Sequence, residues 1–169
     1  MRSTDSLPRG YRRSSAEGDE AVRNDARPRM TASEVTRYLD DVFPQRGGRF
    51  PTIVVEDLWA RGARLRMKFE PDLIRPGGTI HGPAMFMLAD LGMYAAILGT
   101  IGPVPLAVTT NLCINFLRRP AQRDMLAAVS LIKLGRRLAV GEVDLISEGE
   151  EELAAHATAT YSIPPDASG

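Results

Sequence analysis

Three residues concentrate the chemical potential of this chain: His81, Gly82 and Asp90. His81 and Gly82 belong to the run Gly77-Gly78-Thr79-Ile80-His81-Gly82-Pro83, a glycine-rich lead-in that opens onto an apolar helix. A helix start presents backbone N–H groups without intrahelical partners, together with the positive end of the dipole, and so accommodates a developing negative charge. Gly82 has no side chain to screen its amide, and Pro83, which suits the first helical position, has no N–H to offer. Asp90 is the one carboxylate among residues 76–117, a stretch of 42 without lysine or arginine. An unpartnered ionised acid buried there would cost on the order of several kcal/mol, so its presence marks a group that takes a proton or attacks an electrophile.

Each residue also has a plain structural reading. His81 would cap the helix or fill core space, and Asp90 would bond to amides across an interface. The flanking glycines weigh against the first reading, and the cost of burying an isolated acid weighs against the second. Asp90 lies eight residues beyond Gly82, roughly 12 Å along a helix. Groups acting on one carbonyl must lie within about 3–3.5 Å of it, so one helix cannot supply both. Two antiparallel copies of the helix, brought side by side in a dimer, could place Asp90 of one chain opposite Gly82 of the other.

The elements that must position these residues follow from periodicity and punctuation. Thr31–Phe43 predicts a short helix, capped at Thr31 or Ser33, with Val35, Tyr38 and Leu39 on one stripe. Phe50–Trp59 and Ala63–Glu70 predict a hairpin, the second strand alternating Leu65, Met67 and Phe69 with Arg64, Arg66 and Lys68. A Pro/Gly loop, Pro71–Ile80, leads to a long apolar helix from Pro83 to Gly99. Four further strands are expected at Leu106–Leu117, Asp124–Leu134, Leu138–Ser147 and Glu151–Ile163, arranged as a meander. The outline is α+β: one long helix filling the concave face of an antiparallel sheet of about six strands.

Composition narrows the function classes. With 21 basic and 21 acidic residues the net charge is zero, which argues against a nucleic-acid or anionic-lipid partner. One cysteine, Cys113, excludes an intrachain disulfide and a multi-thiolate metal site, and two histidines, His81 and His156, argue against a histidine-rich metal centre. Cys113 and His156 are read as structural. Residues 1–29 are arginine-rich with interspersed acids and read as a disordered polar extension; 30–165 form one domain and 166–169 a loose tail. Gly82–Val108 is long enough for a membrane span, but Asp90, Gly92, Gly99, Gly102, Pro103 and Pro105 favour a helix buried within a domain. The cytoplasm is the default location.

The outline is that of the hotdog fold, and the motifs sharpen it. Gly78-Thr79-Ile80-His81-Gly82 followed by Leu88-Ala89-Asp90 resembles the PaaI-like acyl-CoA thioesterases, whose pattern is G-x-x-H-G-G followed by aspartate. Asn111-Leu112-Cys113-Ile114-Asn115-Phe116-Leu117-Arg118-Arg119-Pro120-Ala121 is similar to that family's third strand and its R-P-A exit. The resemblance covers Thr31–Pro164.

It implies hydrolysis of an acyl-CoA, aliphatic or aryl, without metal or redox cofactor, by a homodimer that in this family commonly pairs into a homotetramer. Asp90 would serve as general base or nucleophile, Gly82 as oxyanion donor, and His81 as a carbonyl-polarising or loop-fixing group. Thr109 matches the hydroxyl residue that orients water. Arg118 and Arg119, at the end of the third strand, and Lys133, Arg136 and Arg137, flanking the next turn, are candidates for CoA phosphates. Met85, Met87 and Met93 are expected in the core rather than along an acyl pocket. Two positions depart from the pattern: Pro83 replaces a second glycine, and Arg75 replaces an asparagine six residues before the histidine. Arginine accepts no hydrogen bond, so Arg75 either rearranges the water, binds a charged acyl group or CoA phosphate, or accompanies weak activity.

A non-catalytic acyl-CoA-binding hotdog protein is the alternative that Arg75 sustains. A hotdog enoyl-CoA hydratase would want an acid five residues before His81, where Pro76 stands, and no G-x-S-x-G elbow marks a serine hydrolase.

Overall fold

A computed structural model of the protein describes residues 27–44 and 51–165. Most of the expected N-terminal extension and the tail 166–169 lie outside them. Helix α1 (Ala32–Val42) opens with a capping box in which the Thr31 hydroxyl and the Glu34 carboxylate satisfy each other's backbone N–H. Its apolar stripe buries Val35 and Leu39. Arg29, expected in the extension, instead donates from its backbone to Gly99 O at 2.7 Å and from its guanidinium to Ile101 O at 3.3 Å. It thereby satisfies carbonyls at the end of the long helix, where a cation is favoured.

Strands β1 (Ile53–Trp59) and β2 (Gly62–Met67) form the expected antiparallel hairpin. The loop that follows has more structure than expected. A 3₁₀ turn, Pro71–Leu73, runs into a two-stranded ribbon of β3 (Ile74–Arg75) and β4 (Thr79–Ile80). Gly77 and Gly78 turn this ribbon at φ of 102° and 75°, a region where a side chain would be strained.

Helix α2 (Gly82–Ile101) begins at Gly82, so Pro83 occupies its second position rather than its first. Twelve of its residues are buried, and Gly102, at φ 92°, ends it. Two strands of the main sheet, β2 and β6 (Met125–Leu134), lie beneath: a Cβ on Gly92 would sit 2.9 Å from Val129 and 3.7 Å from Leu65, so its absence permits the close approach. This helix has the length and hydropathy of a membrane span, yet 67% of its most apolar stretch is buried within the domain. It is the core helix.

The remaining strands are β5 (Val108–Phe116), β7 (Leu138–Ser147) and β8 (Ala155–Ser162). The six-stranded antiparallel sheet has the order β1-β2-β6-β7-β8-β5. The expected four-strand meander is therefore wrong at its first member. Only β6-β7-β8 run as a meander; the chain leaves α2 at the opposite edge of the sheet, so β5 pairs with β8 and not with β6. Ala155, Ala157 and Ala159 of β8 point into the core and leave room for α2, and Tyr161 ends this row of small side chains.

Across the hairpin and β6, Arg66 reaches Glu56, Glu148 at 2.6 Å and Asp124 at 3.2 Å. Burial opposes its charge, but these acids outweigh it and hold the guanidinium's pKa above the usual arginine value. Asp124 also accepts from Phe69 N at 2.9 Å and Lys68 Nζ at 3.0 Å. Burial works against its ionisation, but the Phe69 amide and the Lys68 and Arg66 cations prevail and lower its pKa. A carboxyl depressed on folding stabilises the fold above its unfolded pKa, and that stability is lost as pH falls through the folded value. Asp124→Asn is thus expected to destabilise by about 1–2 kcal/mol at pH 7, roughly 2–8 °C in Tm. The Tm gap should close as pH falls below about 4. Thermal melts at pH 7 and pH 3 check this, and an undiminished gap at pH 3 would contradict it.

Candidate active site

The carboxylate of Asp90 is partly buried and doubly held within its own protomer. Its Oδ1 accepts from Thr109 Oγ1 at 2.6 Å and from Tyr161 OH at 2.7 Å, and the Tyr161 hydroxyl also lies 2.9 Å from the Asp90 main-chain oxygen. No described residue hydrogen-bonds to Oδ2.

Thr109 reaches Asp90 through an irregularity in β5. Leu112, Ile114 and Phe116 pair with core-facing Ala159, Ala157 and Ala155, a period that would bring Thr110 inward next. The register shifts between Thr109 and Asn111, so Thr109 sits opposite Tyr161 and faces α2. Thr110, the extra residue, donates its hydroxyl to Thr160 O at 3.1 Å.

A cleft of ≈ 370 Å³ runs from Asp90, Thr109 and Tyr161 along Met87, Leu91 and Tyr94 of α2. Ile53 and Phe43 line its other wall. The Tyr94 ring lies parallel to Tyr161 at 6.3 Å and edge-on to Phe43 at 6.2 Å, an aromatic row behind the carboxylate. Met85 and Met93 are core residues as expected, whereas Met87 lines the cleft.

At the start of α2, His81 is the N-cap residue. Its Nδ1 accepts from Ala84 N at 3.0 Å, so a neutral ring carries its proton on Nε2. Pro83 has no N–H and Ala84's is engaged, which leaves the Gly82 amide as the first-turn donor without a partner among the described residues. The Phe116 ring lies beside it: a Cβ on Gly82 would be 3.0 Å from that ring.

Asp90 and the Gly82 amide thus stand eight residues apart on one unbroken helix, roughly 12 Å by its rise, and do not converge within a protomer. The candidate phosphate ligands are divided as well. Arg118 and Arg119 follow the Phe116 end of β5, and Arg118 pairs with Glu152 at 2.6 Å. Arg136 and Arg137 lie in the β6–β7 turn, beside the Val108 end, since Leu138 and Val108 both pair with Ser162. Roughly 26 Å of strand separates the two pairs. Arg75, exposed on β3, donates to Pro76 O at 3.1 Å.

Tyr161 is a site residue that sequence patterns do not single out, as are the cleft-lining Phe43, Ile53, Leu91 and Tyr94. The signal of Tyr161 is faint: a large side chain with a polar tip that breaks the Ala-x-Ala-x-Ala alternation of β8. His156, read as structural, pairs with Asp144 at 2.8 Å across β7 and β8, and Cys113 is exposed on β5.

Comparison with known proteins agrees with this architecture. A family model described as the thioesterase superfamily matches residues 77–154, the span from the β3–β4 turn to the start of β8. A candidate esterase of Saccharolobus solfataricus is 31% identical over 139 residues, which cover 80% of this chain and 87% of that protein. The crystal structure of a candidate thioesterase from Silicibacter sp. TM1040 has 41% identity and a TM-score of 0.75, covering 84% of this chain and 97% of that one. The phenylacetic acid degradation protein PaaI of Thermus thermophilus, in a mutant form, has 25% identity and a TM-score of 0.61, covering 72% and 99%. With its core helix on a six-stranded antiparallel sheet of hotdog type, the chain belongs to the thioesterase superfamily.

Proposed function

We propose that the protein hydrolyses an acyl-CoA thioester to the free acid and CoA, at a site shared by two protomers. The observation that carries this reading is Asp90, a carboxylate on an apolar cleft with Oδ1 fixed by two hydroxyls and Oδ2 unpartnered among the described residues. Oδ2 takes a proton from water as the water oxygen bonds to the thioester carbon. Thr109 donates its hydroxyl in a hydrogen bond to Asp90 Oδ1, so its lone pairs remain to accept the second hydrogen of that water and aim it. Charge builds on the carbonyl oxygen and is received by the Gly82 N–H and His81 Nε2–H of the other protomer. The C–S bond then breaks, and the proton held by Asp90 passes to the CoA thiolate. No metal or redox cofactor takes part.

The shared site rests on the edge strand. β5 pairs with β8 on one side only, and Leu106, Val108, Phe116 and Leu117 are exposed along it, Val108 at 56% and Phe116 at 53%. Such an edge invites pairing with another strand. Antiparallel pairing of two β5 strands about a twofold axis covers it and sets the two α2 helices antiparallel. Thr109, near one end of β5, bonds Asp90, while Phe116 at the other end packs beside Gly82. The same operation therefore carries the Asp90 end of one protomer to the Gly82 end of its partner. It also gathers Arg136 and Arg137 of one chain with Arg118, Arg119 and Arg75 of the other, a rim suited to CoA phosphates. The unit is a cytoplasmic homodimer, with further pairing into a homotetramer.

The exposed Arg75 on the loop before His81 supports one other reading, an acyl-CoA-binding protein without turnover. A panel of aliphatic and aryl acyl-CoAs, with release of free CoA followed alongside calorimetric binding, separates the two. Turnover of at least one thioester is expected; tight binding of acyl-CoA with no release from any would favour the binding protein.

A further inference from the structure

We infer that Tyr161 is a positioning residue for this chemistry, its hydroxyl locking the Asp90 side chain so that Oδ2 is the oxygen left to react. The inference rests on the proposed hydrolysis and adds to it a residue on β8, well away in sequence from the helix that carries the acid. One hydroxyl lies within hydrogen-bonding distance of both the main-chain oxygen and the Oδ1 of the same aspartate, at 2.9 and 2.7 Å. A donor shared between those two acceptors ties the carboxyl group to its own backbone and restricts rotation about the side-chain bonds. Thr109 adds a second donor to Oδ1 at 2.6 Å from the neighbouring strand. Both strand-borne hydroxyls therefore converge on one oxygen, and the lone pairs of the other are spent on nothing among the described residues.

Tyr161 can hold this post because it is itself immobile. It is 4% exposed, its ring lies parallel to Tyr94 one helical turn beyond Asp90, and its strand position opposite Thr109 is fixed by the β5–β8 ladder. Burial, and after it the negative charge of Asp90, push its phenol well above the ordinary tyrosine range. The hydroxyl keeps its proton throughout the neutral pH range and serves as a donor, not as an acid or base. Its contribution is orientation, which matters because small misplacements of a reacting group cost much of the rate.

Tyr161→Phe removes one oxygen and keeps the ring and its stacking. It is expected to lower kcat by roughly tenfold or more with KM within about twofold of wild type, the pattern of a lost transition-state contribution. In the Asp90→Asn background the same change is expected to alter the residual rate by less than about twofold, because a residue acting only through Asp90 has nothing left to position. A purely structural residue would impose the same loss in both backgrounds. Introducing 4-aminophenylalanine at position 161, which restores a donor in place, is expected to recover most of the lost rate, and it serves as the test if the phenylalanine variant does not fold. Unchanged kcat in folded Tyr161→Phe, equal losses in the two backgrounds, or no recovery with the restored donor would overturn the inference while leaving the hydrolysis intact. Absence of turnover by wild type, or full activity of Asp90→Asn, would instead remove the reading on which it rests.

Discussion

Replacing Asp90 with asparagine is expected to lower kcat on an acyl-CoA substrate by at least roughly a hundredfold while leaving KM within about threefold. The substitution is a narrow one. The asparagine carbonyl oxygen can still accept from Thr109 Oγ1 and Tyr161 OH, so the local hydrogen bonds that tie α2 to β5 and β8 survive. What is lost is an oxygen able to take a proton from water. A partly buried carboxylate is also exchanged for a neutral group with its hydrogen-bond donors kept, so the variant should melt close to the wild-type temperature. Steady-state kinetics with free CoA followed, together with a thermal melt, check both halves. Retained kcat would mean that Asp90 is only a structural acid beneath the cleft.

The second large effect is expected at His81, where capping and chemistry can be separated. The ring uses Nδ1 to cap α2 through Ala84 N, which leaves the Nε2 proton for a substrate oxygen. Asparagine is among the best N-cap residues, so His81→Asn should keep the helix start and shift Tm by no more than about 2 °C. It lacks a donor at the Nε2 position, and loss of one oxyanion donor typically costs on the order of 10²–10³ in kcat. His81→Ala removes cap and donor together and should cost about 1 kcal/mol of stability in addition. If the asparagine variant keeps full activity and the alanine variant loses only stability, His81 is a cap and nothing more.

The two helices, the hairpin and the β6-β7-β8 run are legible in the sequence because amphipathic period, turn residues and a long apolar run each have one economical solution. Asp90 is legible because a single carboxylate in a cationless apolar stretch is an anomaly that only partners or function resolve. The position of β5 is not legible. The short link from Gly102 to Ala107 says nothing of which sheet edge receives the strand, and the usual tendency of sequence neighbours to be spatial neighbours fails here. The division of the arginines between opposite ends follows from that pairing and is hidden with it.

Thr109 illustrates a finer limit. A strict two-residue period through Leu112 and Ile114 would turn Thr110 inward, and only the register shift beside it selects Thr109. Family resemblance points to Thr109; periodicity alone points to its neighbour. Tyr161 carries almost no signal because an inward tyrosine on a strand is ordinary, and its importance lies in a bond to a helix 71 residues earlier. Such long-range convergence is a property of topology, which short-range patterns do not encode.

A reaction centre assembled from two chains is the central claim, and mixing two disabled chains tests it directly. Asp90→Asn and His81→Asn protomers, each inactive as homodimers, would be coexpressed with different tags and the doubly tagged and mixed pools assayed. If one chain supplies the carboxylate and the other the helix start, each heterodimer rebuilds one intact centre out of two. A random mixture, half of it heterodimer, should then recover about a quarter of the wild-type rate, and the purified heterodimer about half. A heterodimer no more active than its two parents would contradict the shared site.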